Sequence, residues 1–257
     1  MIHVEKQFGK FLLRTCHAVE DMRTVLSLQR TVWNFSDEEL VPVRLFVVGE
    51  KIGGHVLGAF DGEQMVGFAY GLPGYRNGHS YVHSHMLGVL EAYRNTGIGR
   101  ALKLFQRDIA LKQGFELIEW TFDPLEIKNA YLNIEKLGAI TRRYTLNQYG
   151  ITTSPLQAGL PTDRLYAEWW LNSKRVTTLL QNGHTPGLPS EAKIDVPAEI
   201  YSWKAAKDPR ALEVQSRNRE LFQQYFKSGL SVIEYERDAA GNGSFLLGHW
   251  DEKLEYS

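Results

Sequence analysis

Between Ala18 and Trp33, apolar residues recur at Val19, Met22, Val25, Leu26, Leu28, Val32 and Trp33. Most of them fit one helical stripe, so a helix is predicted there. The polar run Asn34–Glu39 and the Pro42-containing stretch after it read as a loop. His55–Phe60 and Met65–Gly71 are apolar runs joined through Asp61-Gly62, the pattern of a hairpin. Ser80–Val89 reads as a long strand. After Gly97 the period changes. Ile98, Leu102, Phe105 and Ile109 fall at spacings of 4, 3 and 4, one face of a helix that Gly114 can stop. Phe115–Phe122 reads as a buried strand closed by Asp123-Pro124. A second helix follows, with Ile127, Tyr131, Ile134 and Leu137 on one stripe and Gly138 at its end. Ala139–Tyr149 reads as another strand.

Further along, the pattern weakens. Gly150–Pro161 is turn-rich, and Arg164–Leu171 reads as a strand. Gly183–Pro197 is rich in proline and glycine and reads as a surface loop. Pro209–Lys227 is predicted helical. Ser231–Glu236 and Ser244–Gly248 are short strands around Gly241-Asn242-Gly243. Alternation of strands and helices through residue 149 predicts a mixed α/β core. Residues 1–150 are expected to form that core. Residues 151–257 are expected to be a C-terminal α/β extension packed on it, as a substrate-side lobe or lid.

Composition narrows the field of functions. Of 257 residues, 43% are hydrophobic and 23% charged, ordinary for a globular chain. Lys plus Arg is 29 and Asp plus Glu is 30, a net charge of -1. That balance gives no electrostatic reason to expect nucleic acid or an anionic membrane as a partner. Cys16 is the single cysteine, which excludes an intramolecular disulfide and a multi-cysteine zinc site. No apolar run approaches a membrane span, and the first residues lack a signal-peptide pattern, so a cytoplasmic protein is expected.

The densest chemistry lies in Ser84-His85-Met86-Leu87-Gly88-Val89-Leu90-Glu91-Ala92-Tyr93-Arg94-Asn95-Thr96-Gly97-Ile98-Gly99-Arg100. An apolar strand enters a turn, and two glycines open a helix. A helix start carries unpaired N–H groups and the positive end of the helix dipole, so it favours anions. Gly97 and Gly99 remove the Cβ atoms that would keep a diphosphate away from the backbone. No Lys-Ser or Lys-Thr follows, so this is not a P-loop, and the third glycine of the dinucleotide fingerprint is missing.

Arg94-Asn95-Thr96-Gly97-Ile98-Gly99 resembles the Arg/Gln-X-X-Gly-X-Gly/Ala acyl-CoA-binding segment of the GNAT superfamily of N-acyltransferases. The element order and the Glu135-Lys136-Leu137-Gly138 ending are similar to that family over about residues 10–150. The resemblance implies a mostly antiparallel mixed sheet with splayed central strands, flanked by helices. It implies that acetyl-CoA or another acyl-CoA is the cosubstrate, without a metal. The diphosphate would be held by Arg94, Asn95, Thr96, Gly97, Ile98, Gly99 and Arg100. The pantetheine arm would run along Leu87, Gly88 and Val89, with Asn129 and Asn133 as an i,i+4 polar pair within reach of its amides.

His83 and His85 are two apart on a predicted strand and so share one face. Imidazole suits the deprotonation of an amine. His83-Ser84-His85-Met86-Leu87-Gly88-Val89 is similar to the His-X-His-X-Leu-X-Val strand of arylalkylamine N-acetyltransferases. His85 is the expected base and His83 its assistant. Many members of the superfamily place a tyrosine four residues before the glycine that ends the second helix, as the acid for the leaving thiolate. Here that residue is Ile134, which cannot donate a proton; Tyr131 lies one turn earlier. Arg164 is a candidate for holding a carboxylate, or else an ordinary ion-pairing residue. The expected reaction is transfer of an acetyl group, or of a succinyl group, from acyl-CoA to a small-molecule amine or amino acid. The alternative is a catalytically silent CoA-binding or ligand-sensing protein. Family precedent implies a monomer or small homo-oligomer.

Overall fold

The computed structural model describes residues 3–150, 152, 154, 157–185 and 187–250. The turn-rich stretch 150–161 therefore lies partly outside the described residues. The chain forms two compact units, one of residues up to Glu119 and one from Trp120 onward.

The first unit begins with a hairpin, β1 (Glu5–Phe8) and β2 (Phe11–Thr15). Two helices follow, α1 (Val19–Trp33) and α2 (Val43–Lys51). Next come β3 (His55–Asp61), β4 (Gln64–Arg76), β5 (His79–Val89), α3 (Ile98–Lys112) and the first residues of β6 (Leu117–Phe122). The strands lie in the order β1-β2-β3-β4-β5-β6. Every neighbour pair is antiparallel except β5 and β6, which run parallel. Met22, Val25, Phe46, Phe68, Tyr70 and Met86 form one core cluster, and Leu13, Leu57, Val66, Ile98, Leu102 and Phe105 form another. The α3 stripe is buried as its spacing predicts; each such side chain contributes about 1.5–3 kcal/mol.

Two elements of this unit depart from the pattern. The stretch expected to be loop through Pro42 continues into α2. That helix turns Phe46 and Gly49 inward and leaves Leu45 and Val48 exposed, so its apolar residues trace no clean stripe. Gly49 is required because a Cβ there would lie 2.3 Å from the Tyr70 hydroxyl. The β1–β2 hairpin was hidden because β1 is almost wholly exposed and shows no alternation.

The second unit holds the end of β6, α4 (Ile127–Tyr131), a π-helical turn (Leu132–Lys136), β7 (Tyr144–Thr145) and β8 (Arg164–Trp170). It continues through α5 (Lys174–Asn182), β9 (Ala192–Val196), α6 (Ile200–Ala206), α7 (Pro209–Lys227), β10 (Ser231–Arg237) and β11 (Gly243–Gly248). A three-stranded sheet has the order β10-β11-β9. The expected strand 139–149 is broken into single bridges, Ile140 to Glu168 and Thr141 to Val232, and the short β7. Arg142 and Arg143 interrupt it, both turning to the buried Glu168 carboxylate. The expected loop Gly183–Pro197 ends in β9, paired to β11. Helix α5, capped by the Ser173 hydroxyl, and helix α6 add to the predicted set.

Polar grips hold the α4 segment within this unit. Arg175 donates to the carbonyls of Gly138 (3.1 Å) and Ile134 (3.4 Å), the latter also accepting from the Gly138 N–H at 3.2 Å, and so ties down the end of the π turn. Glu135 accepts from the Tyr235 N–H at 2.8 Å. Lys204 Nζ donates to Asp123 (3.1 Å) and Glu126 (2.8 Å) just before α4.

Candidate functional site

Strand β5 is bent by an extra residue. Its ladder with β4 pairs Tyr70 with Met86 and Gly71 with Ser84, so His85 is the added residue of a β-bulge. A bulge re-aims a side chain and leaves local backbone groups out of the ladder. On its other edge, β5 pairs with β6 at Val82–Ile118 and His83–Glu119. The segment Ser84–Val89 lies beyond the last of those pairs, while Leu87, Gly88 and Val89 stay in register with β4. Gly88 has a packing role as well, since a Cβ there would lie 2.8 Å from the Phe68 ring.

His83 and His85 stay together despite the bulge, with ring centroids 6.0 Å apart. His85 is exposed and meets the edge of Tyr70 at 6.1 Å; His83 is half-buried. Among the described residues neither imidazole has a hydrogen-bond partner, so both keep a nitrogen lone pair available. Burial, then the neighbouring His85 and Lys103 charges, lowers His83 to about 4. Loss of hydration lowers His85 too. Both rings are neutral at neutral pH, the form that accepts a proton. Tyr70 is already engaged: its hydroxyl donates to the Leu45 carbonyl at 2.9 Å, and burial raises it to about 12.

The turn after β5 holds the residues expected to bind a diphosphate. Leu90 leads into a 3₁₀ turn, Glu91–Tyr93, and Thr96 Oγ1 donates to the Tyr93 carbonyl at 2.7 Å. Arg94, Asn95 and Thr96 are exposed. Asn95 (φ 64°) and Gly97 (φ 88°) both adopt the left-handed conformation, and Gly97 caps α3. Ile98, 1% exposed, pins the first turn into the core. The N–H of Ala101 is the one that bonds back to Gly97. A Cβ on Gly99 would meet only Leu87 Cδ2, at 3.9 Å. Packing within the protein therefore does not demand glycine at 99, whereas close approach of a ligand to that backbone would. The exposed turn, the open Gly99 position and the first-turn N–H donors fit a diphosphate.

The second unit separates the remaining predicted residues. Asn129 is exposed and Asn133 is 1% exposed, so they do not form one polar face. The π turn is the reason: an added residue per turn shifts the phase after Tyr131. Asn133 Nδ2 is buried without a hydrogen-bond partner among the described residues. Ile134 is buried. Tyr131 is half-exposed, with Lys136 Nζ 5.0 Å and the Arg237 guanidinium 5.7 Å from its ring centre. It lines a cavity of about 670 Å³ together with Asp195, Tyr235, Arg237 and Ser244. Arg164 is engaged, donating to the Asp163 carbonyl (2.8 Å) and Gln157 Oε1 (3.1 Å). Among the described residues no helix is long and apolar enough to cross a membrane. The bulge, and the buried cations Lys103, Arg175 and Lys204, had no signal in the sequence pattern.

Residues 19–132 match the model of the Acetyltransferase (GNAT) family. No curated protein sequence matches the chain significantly. Among solved structures, yncA from Salmonella typhimurium, solved with its cofactor acetyl-CoA, is 15% identical with a TM-score of 0.52. The match covers 64% of this chain and 96% of that one. The ribosomal-protein-S18-alanine N-acetyltransferase from Escherichia coli is 13% identical, TM-score 0.51, over 63% of this chain and 95% of that one. The ribosomal-protein-S5-alanine acetyltransferase from Vibrio fischeri is 14% identical, TM-score 0.51, over 66% and 98%. At these identities the likeness is one of fold: a mostly antiparallel mixed sheet flanked by helices, to which this chain adds a further sheet and helices toward its C-terminus.

Proposed function

From the premise that residues 19–132 form a domain of the GNAT acetyltransferase family, we propose that the protein transfers an acyl group from acyl-CoA to the amine of a small molecule or amino acid. The observation that carries the reading is the bulge at His85, one strand segment upstream of the exposed turn that opens α3. Bound acyl-CoA supplies an activated thioester. The N–H groups of Ile98, Gly99 and Arg100 hold its diphosphate, with Arg94, Asn95 and Thr96 beside them. The backbone of Leu87, Gly88 and Val89 aligns the pantetheine arm. His85, neutral at neutral pH, takes the proton from the substrate ammonium directly or through a water. The free amine then attacks the thioester carbonyl, forming the amide N–C bond as the C–S bond breaks and CoA leaves as its thiolate. His83, lowered to about 4 by burial, stays neutral and orients its neighbour. Acetyl is the first donor to test and succinyl the second. Because two fold relatives are named as acting on alanine of ribosomal proteins, a protein N-terminus is included among the acceptors.

Ile134, buried where many relatives have a proton donor, favours a second reading: CoA binding without turnover. One experiment separates the two. Thermal unfolding with CoA, acetyl-CoA and succinyl-CoA is followed by an amine and peptide panel with wild type and His85→Ala. Stabilisation by CoA with turnover that depends on His85 supports transfer. Stabilisation with no turnover on any acceptor supports the silent binder, and absence of stabilisation defeats both.

A further inference from the structure

A chain of polar side chains runs through the first unit without any place in the reaction outlined above. Lys103 Nζ, on α3, donates to Ser84 Oγ at 2.7 Å. Ser84 Oγ donates to Gln106 Oε1 at 2.7 Å. Gln106 Nε2 meets His55 Nε2 at 2.9 Å; an amide nitrogen only donates, so His55 accepts there and carries its proton on Nδ1. All four residues are at most 5% exposed. The space is built for them. A Cβ at Gly71, on β4 between His55 and Ser84, would lie 2.6 Å from His55 Nε2 and 2.8 Å from Gln106 Nε2. Desolvation lowers Lys103 well below its ordinary value and lowers His55 to about 4, so burial favours the neutral form of both.

The position of Ser84 gives this chain its meaning. It is the ladder residue immediately before the bulge, flanked by His83 and His85. His85, as the added residue, has no ladder partner to fix it. Met86, on its other side, is anchored in the core. Ser84 is anchored by two short hydrogen bonds from α3, and α3 is the helix whose first turn is Gly97–Arg100. Lys103 lies one turn beyond that first turn, and Gln106 one turn further. We propose that Lys103 and Gln106 are positioning residues which, by gripping Ser84, set the geometry of the His85 bulge and join it to the diphosphate turn. This rests on the acyl-transfer reading for its consequence in catalysis, but not for its consequence in geometry.

The test uses the full chain with Ser84→Ala, Lys103→Met and the double variant. Methionine keeps the buried stem of Lys103 and removes its donor. Ring signals of His83 and His85 are followed by NMR on ¹³C-histidine protein, assigned with His83→Gln and His85→Gln. Each single variant should shift the His85 ring signal. With a turned-over amine, each should lower kcat about 10–100-fold while the KM for acyl-CoA holds. Because both act through one contact, the double variant should be no worse than Ser84→Ala. Unmoved ring signals in both single variants overturn the proposal, as do effects on kcat that simply add. If wild type turns over no amine but the ring signals move and the double variant matches Ser84→Ala, the acyl-transfer reading fails and the positioning role stands.

Discussion

Two glycines two residues apart should respond oppositely to a side chain. Gly97 sits at φ 88° as the cap of α3, and an added Cβ would lie 3.3 Å from the Phe8 ring. Holding an L-residue there costs about 1–2 kcal/mol. Gly97→Ala should therefore lower Tm by about 2–8 °C for a chain of this size. Gly99 has ordinary helical geometry and an open Cβ direction, with Leu87 3.9 Å away. Gly99→Val removes a glycine from a helix, so Tm without ligand should stay within about 2 °C. Binding should separate the two positions further. CoA at 100 times its dissociation constant adds about 2.7 kcal/mol, or about 5–10 °C in wild type. If valine at 99 blocks the diphosphate and weakens binding about 100-fold, the same CoA concentration adds about 0.4 kcal/mol, a shift of about 1 °C. The assay is thermal unfolding of the three proteins with and without CoA. A full CoA shift in Gly99→Val would refute the claim that a ligand approaches this backbone, and an unchanged Tm in Gly97→Ala would refute the argument from the left-handed cap.

Three other outcomes follow from the geometry. His85→Ala should keep the CoA-induced stabilisation while losing about 10²–10⁴-fold in kcat, checked by steady-state kinetics at saturating acyl-CoA. His55 titrates near 6.5 when unfolded but is lowered to about 4 by burial in the fold, so as pH falls the unfolded chain takes up protons first. Its stability is intact above about pH 6.5 and declines between 6.5 and 4 by about 3 kcal/mol, a loss that urea unfolding across that range should show and His55→Gln should diminish. Lys204→Met should cost about 3–5 kcal/mol, because it leaves Asp123 and the half-buried Glu126 without their cation; calorimetry should show the lowered Tm.

Helix α3 and the turn that opens it were legible because several signals agree there. Ile98, Leu102, Phe105 and Ile109 keep helical spacing, and Gly97 needs a backbone conformation that few other residues tolerate. The β3–β4 hairpin was legible for a similar reason, through Asp61-Gly62 between apolar runs. Helix α2 was not, because Leu45 and Val48 face outward and blur the stripe. The bulge at His85 leaves the alternation of β5 intact to the eye, since a single added residue shows only against a partner strand. The π turn likewise shows only in the folded backbone: the Ile127, Tyr131, Ile134, Leu137 spacing reads as one continuous helix, yet the phase slips and buries Asn133. Lys103, Arg175 and Lys204 look like surface cations in a sequence, because their partners are carbonyls, a hydroxyl or carboxylates elsewhere in the chain.

The grip of Lys204 on the segment before α4 also sets an order of events during synthesis. Asp123 and Lys204 are 81 residues apart. At a translation rate of about 5–20 residues per second, the carboxylate waits about 4–16 s for its ammonium. Tyr235, which supplies the N–H for Glu135, emerges later still. The unit ending at Glu119 can close while the ribosome is still working. The α4 segment belongs by family match to the early part of the chain, yet it cannot reach its final structure until nearly the whole chain has been made. A nascent chain stalled between residues 180 and 200 would therefore carry a finished first unit and an α4 segment open to proteases and chaperones.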